Sequence, residues 1–486
     1  MTAAPAPPGA AGRDAGSFRD PAGHVFVLPG EVVRSVHPCA AAAFRQVLDS
    51  GLLDELATRG LMIATTVDTS GRDVAPFTGA RGETPAYLLL HPRLRFTSYA
   101  HEWTFSQLQD AALAHLDVHL LALQHGMTLS DASAHNMQFH GGRPLHIDPL
   151  SLRPYVDGEP WAGYHQFCRM FLLPLLLEAW TGVGFQPLLR GSVDGIPLAY
   201  GAQLLPWHKR LTSLNGMLHV FAHAKVTQAV TSSRAGEAAR AAPAVPKART
   251  VALLQELRRW IASLRSRRNR GGAGTYWGEY ATINSYSPAM QQTKAGFVAT
   301  FAQALAAGAT APTLVCDIGG NTGEYAQVAV DHGVTGAIVF DSDLDALEKA
   351  YARCKSGQPV LPLLMDIADP SAAMGWDQAE RKGLKERRGG VSGVLALAVI
   401  HHLCIGRNLP LRAVVHWLVD FAPQGVIEFV PKADPMVVGM LATREDLFGD
   451  YDEAHFMHYL QEVATAGAQL RFEENGRLLV HYTRHG

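Results

Sequence analysis

The first lysine in this 486-residue chain is Lys209. The preceding stretch therefore offers no lysine to a nucleotide phosphate, and no glycine-rich phosphate loop ending in Lys-Ser/Thr is present. Cysteine is also scarce. Cys39, Cys168, Cys316, Cys354 and Cys404 are odd in number and scattered, without a CxxC pair. That excludes a disulfide framework and a cysteine-based zinc site, and it fits a reducing cytoplasm. Net charge is nearly absent at −2, so global electrostatics give no case for nucleic acid or an anionic membrane. Long apolar runs are missing too. The most apolar run, Phe171 to Leu177, is broken by Pro174 and falls far short of the roughly 20 residues of a membrane span. The Ala/Pro/Gly-rich start lacks a basic-then-apolar order and does not read as a signal peptide.

What is present is a globular composition, 48% hydrophobic and 18% charged, on a chain too long for one ordinary core. The pattern divides into four parts: a disordered tail over 1–22, an N-terminal α+β domain over 23–230, a linker and basic helix over 231–270, and an α/β domain over 271–486. In the first domain, Val25 to Leu28 and Leu61 to Val67 read as strands, with a helix around Ala40 to Leu56 between them. Phe105 to His125 carries apolar residues at helical spacing and stops at Gly126. Trp161 to Trp180 and Gly201 to Ala224 read as apolar helices, whose dispersed histidines are expected to be satisfied core residues.

Ser130 to Asp148 holds the first polar constellation. Asp131 and Asn136 are five apart, and Asp148 follows at the end of a short apolar run. In phosphotransfer loops of this form the first Asp accepts the substrate proton, while Asn and the second Asp hold magnesium. The segment resembles the catalytic loop of kinase-like folds, which implies a kinase-like domain. Without the strand lysine that domain is expected to be degenerate. The alternatives are that these residues merely cap turns, or that they contact a substrate.

Beyond the linker, Leu253, Leu257, Trp260, Ile261 and Leu264 make an apolar stripe on an arginine-rich helix that reads as a solvated face. Tyr276 to Tyr286 is aromatic-rich, and with Lys294 it could cover a ligand or serve as a packed connector.

The chain's organising stretch is Thr313 to Tyr325. An apolar run ends at Asp317, Gly319, Gly320, Asn321 and Gly323 follow, and a helical pattern begins at Tyr325. Strand, glycine turn and helix open a doubly wound unit. Further strands end at Asp341 (suited to ribose hydroxyls), at Asp366 beside Ile367 (suited to an adenine amino group), and at His401 and His402 after Val391 to Ile400. A fifth carries Glu428, and Leu478 to Tyr482 closes the set. The glycine spacing differs from G-x-G-x-x-G, and an acid before the turn would repel a pyrophosphate. It suits an ammonium, while the helix start favours a carboxylate.

Asp317 to Gly323 resembles motif I of class I S-adenosylmethionine-dependent methyltransferases, whose strands run in the order 3-2-1-4-5-7-6. MDIADPS from Met365, LALAVIHHL from Leu395, VIEFVPKADPM from Val426 and DLFGDY from Asp446 resemble one subfamily, which includes NoeA-like nodulation proteins. EWTFSQLQDAAL, DASAHNMQF and PLHIDPLSL in the N-terminal half extend that resemblance.

The resemblance implies an α/β, Rossmann-like C-terminal domain that binds S-adenosylmethionine. Asp317, Gly319, Gly320, Asn321 and Gly323 would meet the methionine end, Asp341 the ribose, and Asp366 with Ile367 the adenine. His402 and then His401 are candidate bases, and Glu428 a positioning acid. Tyr276, Tyr286, Lys294, Asp131, Asn136 and Asp148 are candidate acceptor contacts. No metal is expected. The implied activity is O- or N-methylation of a small molecule or glycoconjugate in cytoplasmic natural product biosynthesis, with the N-terminal domain shaping acceptor recognition. A phosphotransferase fused to a methyltransferase and a non-catalytic cofactor-binding protein remain as alternatives.

Overall fold

A computed structural model describes residues 12–79, 82–222, 244–268, 286–355, 357–442 and 444–486. Of the expected linker and basic helix over 231–270, residues 231–243 and 269–270 lie outside the described residues, as does the candidate Tyr276.

The N-terminal half opens with a four-stranded antiparallel sheet in the order β1-β2-β4-β3, formed by β1 (Val25–Val27), β2 (Glu31–Val36), β3 (Thr66–Val67) and β4 (Tyr87–Pro92). Between β2 and β3 the expected single helix is two, α1 (Pro38–Asp49) and α2 (Leu52–Thr58), broken where Gly51 takes φ 70°. Most of Leu61 to Val67, expected as a strand, is irregular, and β2 was not foreseen. The expected disordered tail over 1–22 is ordered from residue 12 onward. Asp14 caps the 3-10 turn Ala15–Arg19, and its carboxylate accepts from Lys382 Nζ at 2.5 Å.

The half is built around α3 (Phe105–Gln124). It starts at a capping box in which Thr104 Oγ1 accepts from the Gln107 amide and Gln107 Oε1 accepts from the Thr104 amide. Of the predicted apolar stripe, Leu108, Ala112, Leu116 and Leu123 are buried and Leu120 is partly buried against the same core. After α3 come two small antiparallel pairs: β5 (Met127–Leu129) with β8 (Leu152–Pro154), and β6 (Met137–His140) with β7 (Arg143–His146). The helix Lys247–Ser263 lays Leu254, Leu257 and Ile261 onto this core. Its Arg258 reaches Asp117 of α3 at 2.5 Å.

The C-terminal half is a seven-stranded sheet in the order β11-β10-β9-β12-β13-β15-β14. Its members are β9 (Leu314–Ile318), β10 (Gly336–Asp341), β11 (Val360–Leu364), β12 (Gly393–Ala396), β13 (Gln424–Phe429), β14 (Ala464–Arg471) and β15 (Leu478–Arg484). The first five are parallel and β15 is antiparallel to both its neighbours. Renumbered from β9, the order is 3-2-1-4-5-7-6, as the resemblance implies. The central strands are buried on both faces, which explains why they read as continuous apolar runs.

The edge strand β11 is covered by the N-terminal half. Gln107 Nε2 donates to Pro362 O at 3.0 Å. Covering an edge in this way removes a row of unpaired backbone groups. One apolar core runs through both halves, with Phe96 against Phe340 and Phe139 against Tyr351. A buried Glu102–Arg387 pair, with oxygen–nitrogen distances of 2.5 and 2.9 Å, joins the halves. Glu102 also accepts from the Ser371 hydroxyl at 2.7 Å.

Candidate active site

Parallel strands all present their C-terminal ends at one edge, so residues ending β9, β10, β11 and β12 converge. The glycine turn supplies the centre. Gly319 takes φ 68° and Gly323 φ 75°, conformations that side-chain-bearing residues rarely adopt. Gly320 is required by closeness: a Cβ there would sit 2.6 Å from Asp317 Cγ. Asn321 also has a positive φ of 50°, and its amide donates to Asp341 Oδ2 at 2.8 Å, pinning the turn to the tip of β10. Asp341 Oδ1 accepts from the Asp343 amide at 2.8 Å.

The turn opens into a cavity of about 410 Å³. Asp317, Gly319, Gly320, Asn321, Asp341, Asp366 and Ile367 all line it, as do Tyr286, Lys294 and His402. Gly323 stands behind the wall and begins the helix Glu324–Asp331. Every described lining residue lies between 286 and 407, so none comes from the N-terminal half.

Asp317 is fully buried and its Oδ2 has no hydrogen-bond partner among the described residues. Burial pushes its pKa up to about 7, with Lys294 and a hydrogen bond from the Ala326 backbone pulling the other way. A buried carboxylate oxygen without a donor is costly and marks a place where a ligand donor belongs. At the far end, Asp366 Oδ1 accepts from the Ala368 amide at 3.0 Å, and Oδ2 pairs with Arg407. Sequence reasoning missed Arg407, because it lies in the turn after β12 with no motif of its own.

The expected fourth strand is shorter than its apolar run. β12 ends at Ala396, and the chain then turns through Ala398 at φ 53° into a helical turn, His402–Gly406. His401 and His402 therefore sit on a helical turn and not at a strand tip. His402 lines the cavity; burial, with Arg477 adding to it, lowers its pKa to about 4. His401 does not line it. It is fully buried, and neither ring nitrogen has a partner among the described residues.

Glu428 also lies outside the lining. It is buried on β13 and tied into an ionic cluster behind the cavity wall. Lys294 Nζ donates to Oε2 at 2.7 Å, the Tyr286 hydroxyl donates to Oε1, and Arg477 stands at 3.5 Å. Arg477 in turn meets Asp434 at 2.8 Å. Burial lowers the Lys294 pKa while Glu428 opposes the shift. Lys294 Nζ is flanked by the Tyr286 and Tyr325 rings at 4.5 and 4.9 Å.

The remaining candidates stand apart from the cavity. Asp131 Oδ1 accepts from the Ser133 amide. Asn136 ends a 3-10 turn, and its Nδ2 is buried without a partner among the described residues. Asp148 caps the turn Pro149–Ser151 and pairs with Arg34 of β2 at 2.9 Å. No group of three or more His, Cys, Asp or Glu side chains among the described residues is arranged to hold a metal.

No protein-family model matches the chain. Nodulation protein NoeA of Rhizobium meliloti (strain 1021) is 38% identical over 473 residues, covering 96% of this chain and 94% of that protein. Among solved structures, the N-methyltransferase NodS from Bradyrhizobium japonicum WM9 is 15% identical over 39% of this chain and 94% of its own, with a TM-score of 0.28. Magnesium protoporphyrin IX methyltransferase ChlM from Synechocystis PCC 6803, with bound S-adenosylhomocysteine, is 15% identical over 43% of this chain and 93% of its own, at 0.30. WbdD is 12% identical over 44% of each chain, at 0.31.

Proposed function

This chain belongs to the family of nodulation protein NoeA, and on that premise we propose that it is an S-adenosylmethionine-dependent methyltransferase. The observation that carries the reading is Asp317: a buried carboxylate with an oxygen that receives no donor among the described residues, beside a glycine turn, in a cavity that also holds Asp341 and Asp366. The residues fit the cofactor. Asp317 offers an acceptor to the ammonium, and the backbone of Gly319 to Asn321 leaves room for the methionine end. The acids at the tips of β10 and β11 stand at the places suited to ribose and adenine.

When bound, the sulfonium cofactor supplies an already activated methyl group. What this chain must do is hold an acceptor in line and, for a hydroxyl or amine, take its proton. Alignment of that kind can supply roughly 7–11 kcal/mol of a barrier. His402 is the cavity's candidate base; its lowered pKa keeps the imidazole neutral across the physiological range, at the cost of basic strength. Glu428 supports the site indirectly, fixing Lys294 and Tyr286 in the wall.

The acceptor is a small molecule or glycoconjugate on this reading, reached from the side of Tyr286, Gln291 and Lys294. The N-terminal half contributes by holding the loop after β11. Arg190 pairs with Asp369 at 2.9 Å and donates to the carbonyls of Asp369 and Pro370, only a few residues beyond Asp366. We place the boundary between the halves in 231–270, and the protein in the cytoplasm.

The N-terminal strand order, with a helix pair between the second and third strands and Asp131, Asn136 and Asp148 beyond α3, supports a degenerate kinase-like domain. Asp148 spends a carboxylate oxygen on Arg34, and phosphotransfer has no further observation in its favour.

The test is incubation of the protein with methyl-labelled cofactor and cell extract, with mass spectrometry of labelled products. Transfer to a small molecule or glycan, lost in Asp317→Ala, supports the proposal. Cofactor binding with no transfer to any extract component contradicts it.

A further inference from the structure

Fourteen large apolar side chains are exposed among the described residues, and seven of them lie between Tyr200 and Leu218. Trp207 is 72% exposed, Leu211 81% and Leu214 67%, with Tyr200, Leu204 and Leu218 around half exposed. The stretch is a run of short helices, Leu198–Leu204, Lys209–Thr212 and Leu214–Gly216, followed by the π turn Met217–Ala222. Its other side is anchored, since Leu198, Leu205, Val220 and Phe221 are buried in the main core. The chain therefore presents these apolar groups from a fixed base. Scattered single exposed apolar residues need no explanation, but a concentration of this kind marks an interaction surface.

Charge supplies a second, independent observation. No Asp or Glu occurs between Gly195 and Ala222. Immediately beside the apolar stretch is a recess of about 360 Å³ lined by His208, Lys209, Arg265 and Arg267, with no acid among its described lining residues. Arg265 and Arg267 donate to the backbone carbonyls of Leu264 and Trp180, at 2.7 and 2.8 Å; among the described residues Arg267 has no carboxylate beside it in this recess, while Arg265 also borders the neighbouring recess that holds Glu178 and Glu348. Lys209 lies 5.3 Å over the Trp180 ring.

We propose that this face docks on an anionic lipid bilayer surface. Trp207, Leu211, Leu214 and Leu218 enter the headgroup–acyl boundary, and Lys209, Arg265 and Arg267 meet the lipid phosphates. Apolar insertion beside basic side chains is the pattern of proteins that lie on membranes. No helix among the described residues is long and apolar enough to cross one, so the attachment is peripheral. The near-zero net charge of the whole chain is no obstacle, because the attraction is local and acts within a Debye length.

The test is co-sedimentation of the full chain with vesicles of phosphatidylcholine alone, or mixed with about one-third phosphatidylglycerol. Binding to the mixed vesicles should exceed binding to the neutral ones at least about tenfold and weaken as salt rises. Leu211→Asp with Leu214→Asp, and separately Arg265→Glu with Arg267→Glu, should each lower it about tenfold or more. All four positions lie outside the cofactor cavity, so cofactor binding and thermal transition, measured alongside, should stay at wild-type values. Trp fluorescence should shift to the blue on mixed vesicles and lose that shift in Trp207→Phe. The proposal is overturned if the wild-type chain ignores mixed vesicles, or if the folded variants bind as well as wild type. It is also overturned if Leu211→Asp abolishes self-association of the chain while vesicle binding is absent, since the patch would then join two copies.

Discussion

Replacement of Asp317 by Asn should make the ligand-free protein more stable and a worse binder of the cofactor. The folded pKa of Asp317 is raised from 3.8 to about 7, chiefly by burial. A raised carboxylate pKa means that the unfolded chain releases its proton first. Stability of the ligand-free protein therefore falls as pH rises from about 3.8 to about 7 and is flat above. The shift of about three units, with the opposing Ala326 hydrogen bond already included, corresponds to ~4 kcal/mol at pH 7.5. The Asn variant carries no such ionisation, so chemical denaturation at about pH 7.5 should place it above wild type by a few kcal/mol, with the gap closing towards about pH 4.

Cofactor binding reads the same group in the other direction. An ammonium beside Asp317 favours the ionised carboxylate, so affinity should follow the ionised fraction. That fraction grows about 15-fold between pH 5.5 and pH 7, or ~1.6 kcal/mol. Titration calorimetry in buffers of different ionisation heat should show a proton released on binding, and none in Asp317→Asn. An Asn variant no more stable than wild type at pH 7.5, together with pH-independent wild-type binding, would refute the reasoning.

Glu428→Ala leaves Lys294 and Arg477 buried without their shared anion and should cost about 3–5 kcal/mol in thermal or denaturant melts, with Glu428→Gln costing less. Glu102→Ala should cost a similar ~3–5 kcal/mol by stranding Arg387 between the halves. Burial pushes the Glu102 pKa up but Arg387 and His101 pull it down further, to a net lowered value. Its contribution is therefore present above the ordinary carboxyl range and lost as pH falls below it. Because one core spans both halves, calorimetry of the wild-type chain should give a single cooperative transition; two separated transitions would contradict that packing. His402→Ala should slow label transfer about 10²-fold or more with unchanged cofactor affinity, whereas His401→Ala should act through stability alone.

The sequence made the cofactor half legible because its parallel strands are buried on both faces and each ends in a chemically distinctive residue. Asp317, Asp341 and Asp366 all meet at one cavity, and the strand order agrees with the resemblance. Legibility failed where the backbone departs from its apolar pattern. Leu397 to Ile400 is as hydrophobic as a strand, yet it forms a turn through a positive φ at Ala398, which moved both histidines onto a helical turn. Glu428 reads from sequence either as an acid that positions an acceptor or as a structural strand-end acid, and its partners Lys294 and Arg477, distant in sequence, hold it behind the wall. The edge strand β14 went unread because only Ala464 along it is buried. The ordering of residues 12–22 depends on partners such as Lys382 and Glu380, which no local pattern announces.

A crystal structure of the full chain with S-adenosylhomocysteine would test the cofactor assignment most directly. The expected density lies in the cavity opened by the glycine turn, with the amino group on Asp317, ribose hydroxyls on Asp341 and the adenine beside Asp366 and Ile367. Density elsewhere, or an empty cavity at saturating ligand, would contradict it.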